Sequence, residues 1–241
     1  MKRIVIASVL LVATLLALDS RLAESDNYYK NRHKDSGYKM KAYNLCKEVL
    51  AENSSDVDAL WRMSRIYCMF GDDKTAKQDK LDRYNKAKGY AERAKAANAN
   101  LADAHFFYGV SLGRIGQTKG ILNSLNLAKP VKDAFLKTLA LDSRHTSALD
   151  GLGVWYREVP GVAGGDLNKS VEYLKKGIAI DPNYSLFYID LAKTYVQQKN
   201  YAGARTQLNK CLSITNPTNP ADFALDDKAE AKELLKEIEG K

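Results

Sequence analysis

The sequence predicts an all-α fold: a superhelical stack of helix pairs closed by a C-terminal capping helix. Three observations carry this. A short pattern of apolar, small and aromatic residues returns four times along the chain. Each return is followed by a second amphipathic stretch that ends at Asp, Asn, Ser or Pro. The last segment, Asp222 to Ile238, has one apolar face in an otherwise charged surface. Repetition of a helix pair that cannot bury its apolar face alone is the mark of a stacked array.

The chain of 241 residues opens on Met1-Lys2-Arg3, followed by fifteen residues, Ile4 to Leu18, interrupted only by Ser8 and Thr14. A spanning helix needs about 20 apolar residues, so the run better fits the apolar part of a secretory leader. No small-x-small pattern marks a cleavage site: Leu15 lies two before Ala17, and Arg21 two before Ala23. Residues 1–20 are therefore expected to be a signal peptide or an uncleaved anchor through residues 4–18. The body, 21–241, is expected to be exported, as a periplasmic or secreted protein.

The first helix of each unit carries an anchor, a small residue four later and a large apolar residue three beyond that. The sets are Leu60, Ser64 and Tyr67; His105, Gly109 and Leu112; Leu149, Gly153 and Tyr156; and Tyr188, Ala192 and Tyr195. Spacing of i, i+4, i+7 places each set on one helix face. The small residue lets the neighbouring helix come close. Second helices echo one another through Ala42, Cys46 and Val49; Ala87, Ala91 and Ala94; Ser170, Leu174 and Gly177; and Ala204, Leu208 and Cys211. Units are expected near 22–55, 57–99, 102–143, 146–182 and 185–216, with a cap over 222–239. Leu22 to Lys34, with Tyr28 and Tyr29, reads as the first helix of a degenerate unit.

Ser170 to Pro182 joined to Tyr188–Tyr195 resembles the tetratricopeptide repeat most closely, and Ala204 restarts the pattern 34 residues after Ser170. The resemblance covers about residues 38 to 216 and implies a right-handed superhelix. The period departs from it: first helices near Val57, Ala102, Thr146 and Ser185 give steps of 45, 44 and 39. The excess falls in Asp72–Asp82, Thr118–Leu127 and Pro160–Gly165, and such insertions are expected to be loops within a unit.

Those insertions narrow the resemblance. Tyr108-Gly109-Val110-Ser111-Leu112-Gly113, Gly116 to Ile121, Pro130-Val131 and Phe135 resemble the regulator of microtubule dynamics family, as does Gly153-Val154-Trp155-Tyr156 before Pro160. Pro160 to Ser170 is also similar to the T component of tripartite ATP-independent periplasmic transporters. The first resemblance implies microtubule association, which no residue here spells out. The second implies an accessory subunit that acts with a solute-binding protein and can assemble into an oligomer.

Composition narrows the chemistry. The net charge is +8, yet 27% of residues are charged with both signs mixed, and no basic run interleaved with aromatics points to nucleic acid. Cys46, Cys68 and Cys211 are odd in number and fall in helical patterns; a Cys46–Cys68 bridge is one possibility in an oxidising compartment. There is no CxxC, HxxxH or HExxH spacing, and no nucleophile elbow or dinucleotide fingerprint. His105 reads as a core histidine and His145 as a turn residue. Gly164-Gly165-Asp166 before Lys169-Ser170 reads as a turn with Asp166 starting the next helix, because a phosphate loop follows a strand. No enzyme activity and no cofactor are expected.

Binding is the expected role. First helices of a stacked array line its concave face. The row beside the anchors comprises Trp61, Arg65 and Met69; Phe106, Val110 and Arg114; Asp150, Val154 and Arg157; and Ile189, Lys193 and Gln197. Apolar groups there could anchor a protein or peptide while arginines engage its carboxylates bidentately. The chain is expected to be a non-enzymatic scaffold, with the transporter subunit as the alternative.

Overall fold

The computed structural model of the chain describes residues 19–241. The apolar leader lies outside the described residues. The described residues form five antiparallel helix pairs and a cap: α1 (Ser20–Lys30) and α2 (Tyr38–Glu52), α3 (Val57–Asp72) and α4 (Lys77–Ala97), α5 (Ala102–Lys119) and α6 (Ile121–Leu141), α7 (Thr146–Glu158) and α8 (Leu167–Ile180), α9 (Ser185–Gln197) and α10 (Tyr201–Leu212). The cap runs through α11 (Pro220–Asp222), a π-helical turn over Phe223–Asp227, and α12 (Lys228–Glu237). α3 packs on α5, α5 on α7 and α7 on α9, so first helices form one inner row.

One turn joins the pairs each time. Asn53, Asn98, Asp142 and Asp181 each leave the helix in an extended conformation. Each side-chain oxygen accepts from the backbone N–H two residues on, at 3.1, 2.9, 2.9 and 3.0 Å. Each carbonyl accepts from the N–H three residues on. These short polar side chains favour such turns because they mimic a backbone turn with their own carbonyl.

The small residues hold their place by close approach. A Cβ on Gly109 would lie 2.8 Å from Phe135 of α6, and one on Gly153 would lie 2.5 Å from Leu174 of α8. Ser64 and Ala192 fill the equivalent positions and are fully buried. Around them Leu60, Leu149, Leu174, Leu191 and Leu208 are removed from water. Each such side chain contributes about 1.5–3 kcal/mol.

Two of the three insertions are not loops. Only Asp73–Ala76 separates α3 from α4, and Gly120, at φ 107°, alone separates α5 from α6. The added residues lengthen α4 and α6 to 21 residues each, against 14 in α8 and 12 in α10. They stay helical because they bury a second small core of their own, with Leu81 and Tyr84 of α4 meeting Ile115 of α5 and Leu127 of α6. The first turn of α6 runs past this core, leaving Ile121 and Leu122 79% and 76% exposed. Pro160–Gly165 is the one insertion that remains a connection, with a single 3₁₀ turn over Gly161–Ala163. Asp166 then caps α8, accepting from the N–H of Asn168 and Lys169.

Candidate binding groove

The inner row starts at α1 and α3. Arg62 donates to Asp26 at 2.8 Å and to the Asp58 carbonyl at 2.9 Å. Arg65 reaches the other oxygen of Asp26 at 2.5 Å, and its guanidinium lies 4.0 Å from the Tyr29 ring. Burial alone would raise the Asp26 carboxyl, but hydrogen bonds from Arg62 and the charges of Arg65 and Arg62 hold it below the usual range. Trp61 stacks on Phe107 at 5.6 Å and donates its Nε1–H to Asp58 at 3.2 Å. Trp61 and Met69 are buried.

Phe106, expected to face a partner, points instead between units: its ring is 5.6 Å from Phe135 and 4.9 Å from His145. His145 Nδ1 accepts from the Ala148 N–H at 3.2 Å and caps α7. His105 is half-buried and bonds the Ala99 carbonyl at 2.8 Å.

Further along the row the expected arginine–carboxylate recognition is satisfied within the chain. Arg157 meets Asp190 at 2.7 Å with both side chains 5% exposed, and also bonds the Asp190 carbonyl and Glu158. Asp150, expected in the groove, is buried, and among the described residues none donates to its Oδ1. Burial and the neighbouring Asp190 charge push its carboxyl well above the usual range. Ile189 is likewise buried.

The cap covers part of this row, with Phe223, Ala231 and Ile238 in one buried cluster with Ile189. It crosses the inner row and fastens at three places: Arg32 of the first unit to Asp222, Ser185 of α9 to Asp227, and Lys193 of α9 to Glu230 at 2.5 Å. Thr218 pins the preceding loop to Asp181 at 2.7 Å. What stays open lies toward the C-terminal ends of α5, α7 and α9. Arg114 is 46% exposed, and its ionic partner among the described residues is Asp72, at 3.3 Å. Val110 and Val154 are half-buried beside it in the row, and Gln197 is exposed.

The sequence pattern locates the row but not its internal partners. Asp26, Asp190, Asp222, Asp227 and Glu230 all escape it. One signal is present: Asp190 interrupts the apolar run Phe187 to Ala192, where a carboxylate needs a buried partner. Among the described residues, no group of three His, Cys, Asp or Glu is placed to hold a metal ion. Cys46, Cys68 and Cys211 are free and buried; burial pushes the Cys68 and Cys211 thiols up to about 12.

The model of regulator of microtubule dynamics proteins 1–3 matches residues 21–163, more than half of the chain. The chain belongs to the regulator of microtubule dynamics family. A tetratricopeptide repeat model matches residues 162–217. Regulator of microtubule dynamics protein 1 of Mus musculus is 24% identical over 213 residues, covering 81% of this chain and 68% of the relative. The Bos taurus protein of the same name is 25% identical over 218 residues, covering 82% and 66%. About a third of each relative thus lies outside the match. Among solved structures, the thermophilic TPR protein TTC0263 of Thermus thermophilus overlays with a TM-score of 0.65 at 17% identity, covering 88% of this chain and 99% of that one. MamA of Desulfovibrio magneticus gives 0.50 at 18% identity, covering 87% and 99%. These likenesses show the tetratricopeptide fold for this member of the regulator of microtubule dynamics family. Among the described residues, no helix is long and apolar enough to cross a membrane.

Proposed function

We propose that the chain is an exported, non-enzymatic scaffold that binds a protein or peptide segment in the open part of its concave face. Arg114 carries this reading. It stands in the inner row with Val110, pairs among the described residues with Asp72, and is far more exposed than Arg65 or Arg157. An arginine beside apolar side chains suits a segment that offers a carboxylate next to an apolar anchor. Export rests on the apolar leader, Ile4 to Leu18.

The test is recovery of partners by the exported body carrying Arg114→Ala. Partner yield drops while the melting temperature stays put. Unchanged recovery removes the open groove from the account. The alternative, an accessory subunit of a tripartite periplasmic transporter, draws on Pro160–Ser170, whose turn presents Val162 fully to solvent. Sedimentation as a strict monomer at high concentration counts against its oligomeric form.

A further inference from the structure

The outer face of α6 differs from those of the other second helices. Among the described residues seven large apolar side chains are exposed, and four of them, Ile121, Leu122, Leu125 and Leu136, lie on α6. The outer faces of α4, α8 and α10 carry none. α6 buries Ala128, Val131, Ala134, Phe135 and Thr138 on its inner side. The opposite side is a stripe of Leu122, Leu125, Lys129, Asp133, Leu136 and Ala140, all exposed. Its steps of 3, 4, 4, 3 and 4 residues keep it on one line along the helix.

The stripe is complementary to itself when reversed. Apolar positions stand at both ends and a basic–acidic pair at its centre. Two such stripes laid antiparallel, about a two-fold axis beside Pro130 and Val131, set Leu125 against Leu136 of the second copy, Leu122 against its Ala140, and Lys129 against its Asp133. The contact is isologous, so each opposition occurs twice. Within one copy Lys129 already pairs with Asp133. A cation four residues before the acid is the weaker order along a helix, however, and both side chains are exposed. Across the axis the same two residues form two pairs flanked by leucines, which fixes direction and register.

We propose that the outer face of α6 is a self-association surface whose partner is a second copy of this chain, docked antiparallel through the stripe from Leu122 to Ala140. The stripe is about 27 Å long and one helix wide, smaller than a permanent interface, so association is weak and follows concentration. It lies on the side of the helix pair away from the inner row, so both copies keep their concave faces open.

Sedimentation of the full chain and its charge variants tests this. The parent is a dimer at about 100 μM and a monomer at about 1 μM. Lys129→Asp and Asp133→Lys each weaken self-association about tenfold or more, because like charges then meet at the axis. An equimolar mixture of the two restores it, since a wholly acidic centre meets a wholly basic one. Both sites are exposed, so the melting temperatures of the variants stay near the parent's. Register is read by oxidative cross-linking, to which the buried native cysteines contribute nothing. Leu125→Cys cross-links with Leu136→Cys, and neither cross-links with itself, because like positions stand about 16 Å apart across the axis. A parent that stays monomeric at about 100 μM, single variants that associate like the parent, or a mixture that stays monomeric overturns the proposal. Cross-links of either cysteine variant with itself overturn the antiparallel register. Flotation with anionic vesicles that Leu122→Asp abolishes, with no dimer in solution, gives the stripe to a membrane surface and overturns the second copy.

Discussion

Arg157 of α7 and Asp190 of α9 face each other at 2.7 Å, each with a side chain only 5% exposed. Two charges taken this far from water stand only because each neutralises the other. Arg157→Ala leaves Asp190 buried without its counter-ion, next to Asp150. The expected loss is about 3–5 kcal/mol, read from the denaturant midpoint. Adding Asp190→Asn recovers part of it, since the uncompensated charge goes too. Equal loss in the single and double variants would count against a charge-pair origin.

Two glycines test close approach against simple helix propensity. In α7, Gly153→Ala puts a methyl 2.5 Å from Leu174 Cγ and 2.7 Å from its Cδ2, in the packed interior. Overpacking of this kind costs about 1–3 kcal/mol. In α4, Gly89→Ala meets nothing within 4 Å, and helix propensity favours it by about 0.5–1 kcal/mol. Thermal melts of both variants should move in opposite directions.

These two positions also show what is legible in the sequence. Gly153 is readable as a point of close helix approach because it shares its register with Ser64, Gly109 and Ala192, and a repeat makes one position argue for the others. The fold class follows from that periodicity. The fate of the insertions does not. Whether Thr118–Leu127 coils or stays helical depends on Leu127 finding Leu81, Tyr84 and Ile115, a contact between units that no local pattern encodes. The groove meets the same limit. Register places Arg157 on the inner row, but its partner Asp190 lies 33 residues on and the cap that covers the row later still.

Stability should fall with pH between about 4 and 6, traced to Asp227. Burial, only partly offset by the Ser185 hydrogen bond, raises its carboxyl from 3.8 to about 6. A carboxyl raised on folding binds its proton more tightly in the native state. Its contribution is therefore full below pH 3.8 and lost as pH rises through 6. Roughly 3 kcal/mol is the upper bound for that shift. Asp222, Asp226 and Glu230 of the cap surround it with like charge, and its own charge reaches Asp150 of α7. Asp227→Asn should flatten the pH profile of the unfolding free energy over that window. A profile as steep as the parent's would assign the dependence to another group.

The repeated turn gives a graded prediction. Asp142→Asn should be nearly silent, because Asn53 and Asn98 make the same bond with an amide oxygen. Asp142→Ala loses the acceptor for the Arg144 N–H, at 2.9 Å, and should cost about 0.5–1 kcal/mol at this exposed site. Chemical denaturation resolves the two.

Arg32 and Asp222 are 190 residues apart in sequence and touch in the fold. In an open row of repeats each end frays by itself, and unfolding spreads unit by unit from whichever end lets go first. Joining the ends converts a strip into a ring. Neither terminal unit can open without breaking its hold on the other, so amide exchange in α1 and in the cap should slow and quicken together. The cooperative unit becomes the whole circuit, and a substitution at one end registers at the other.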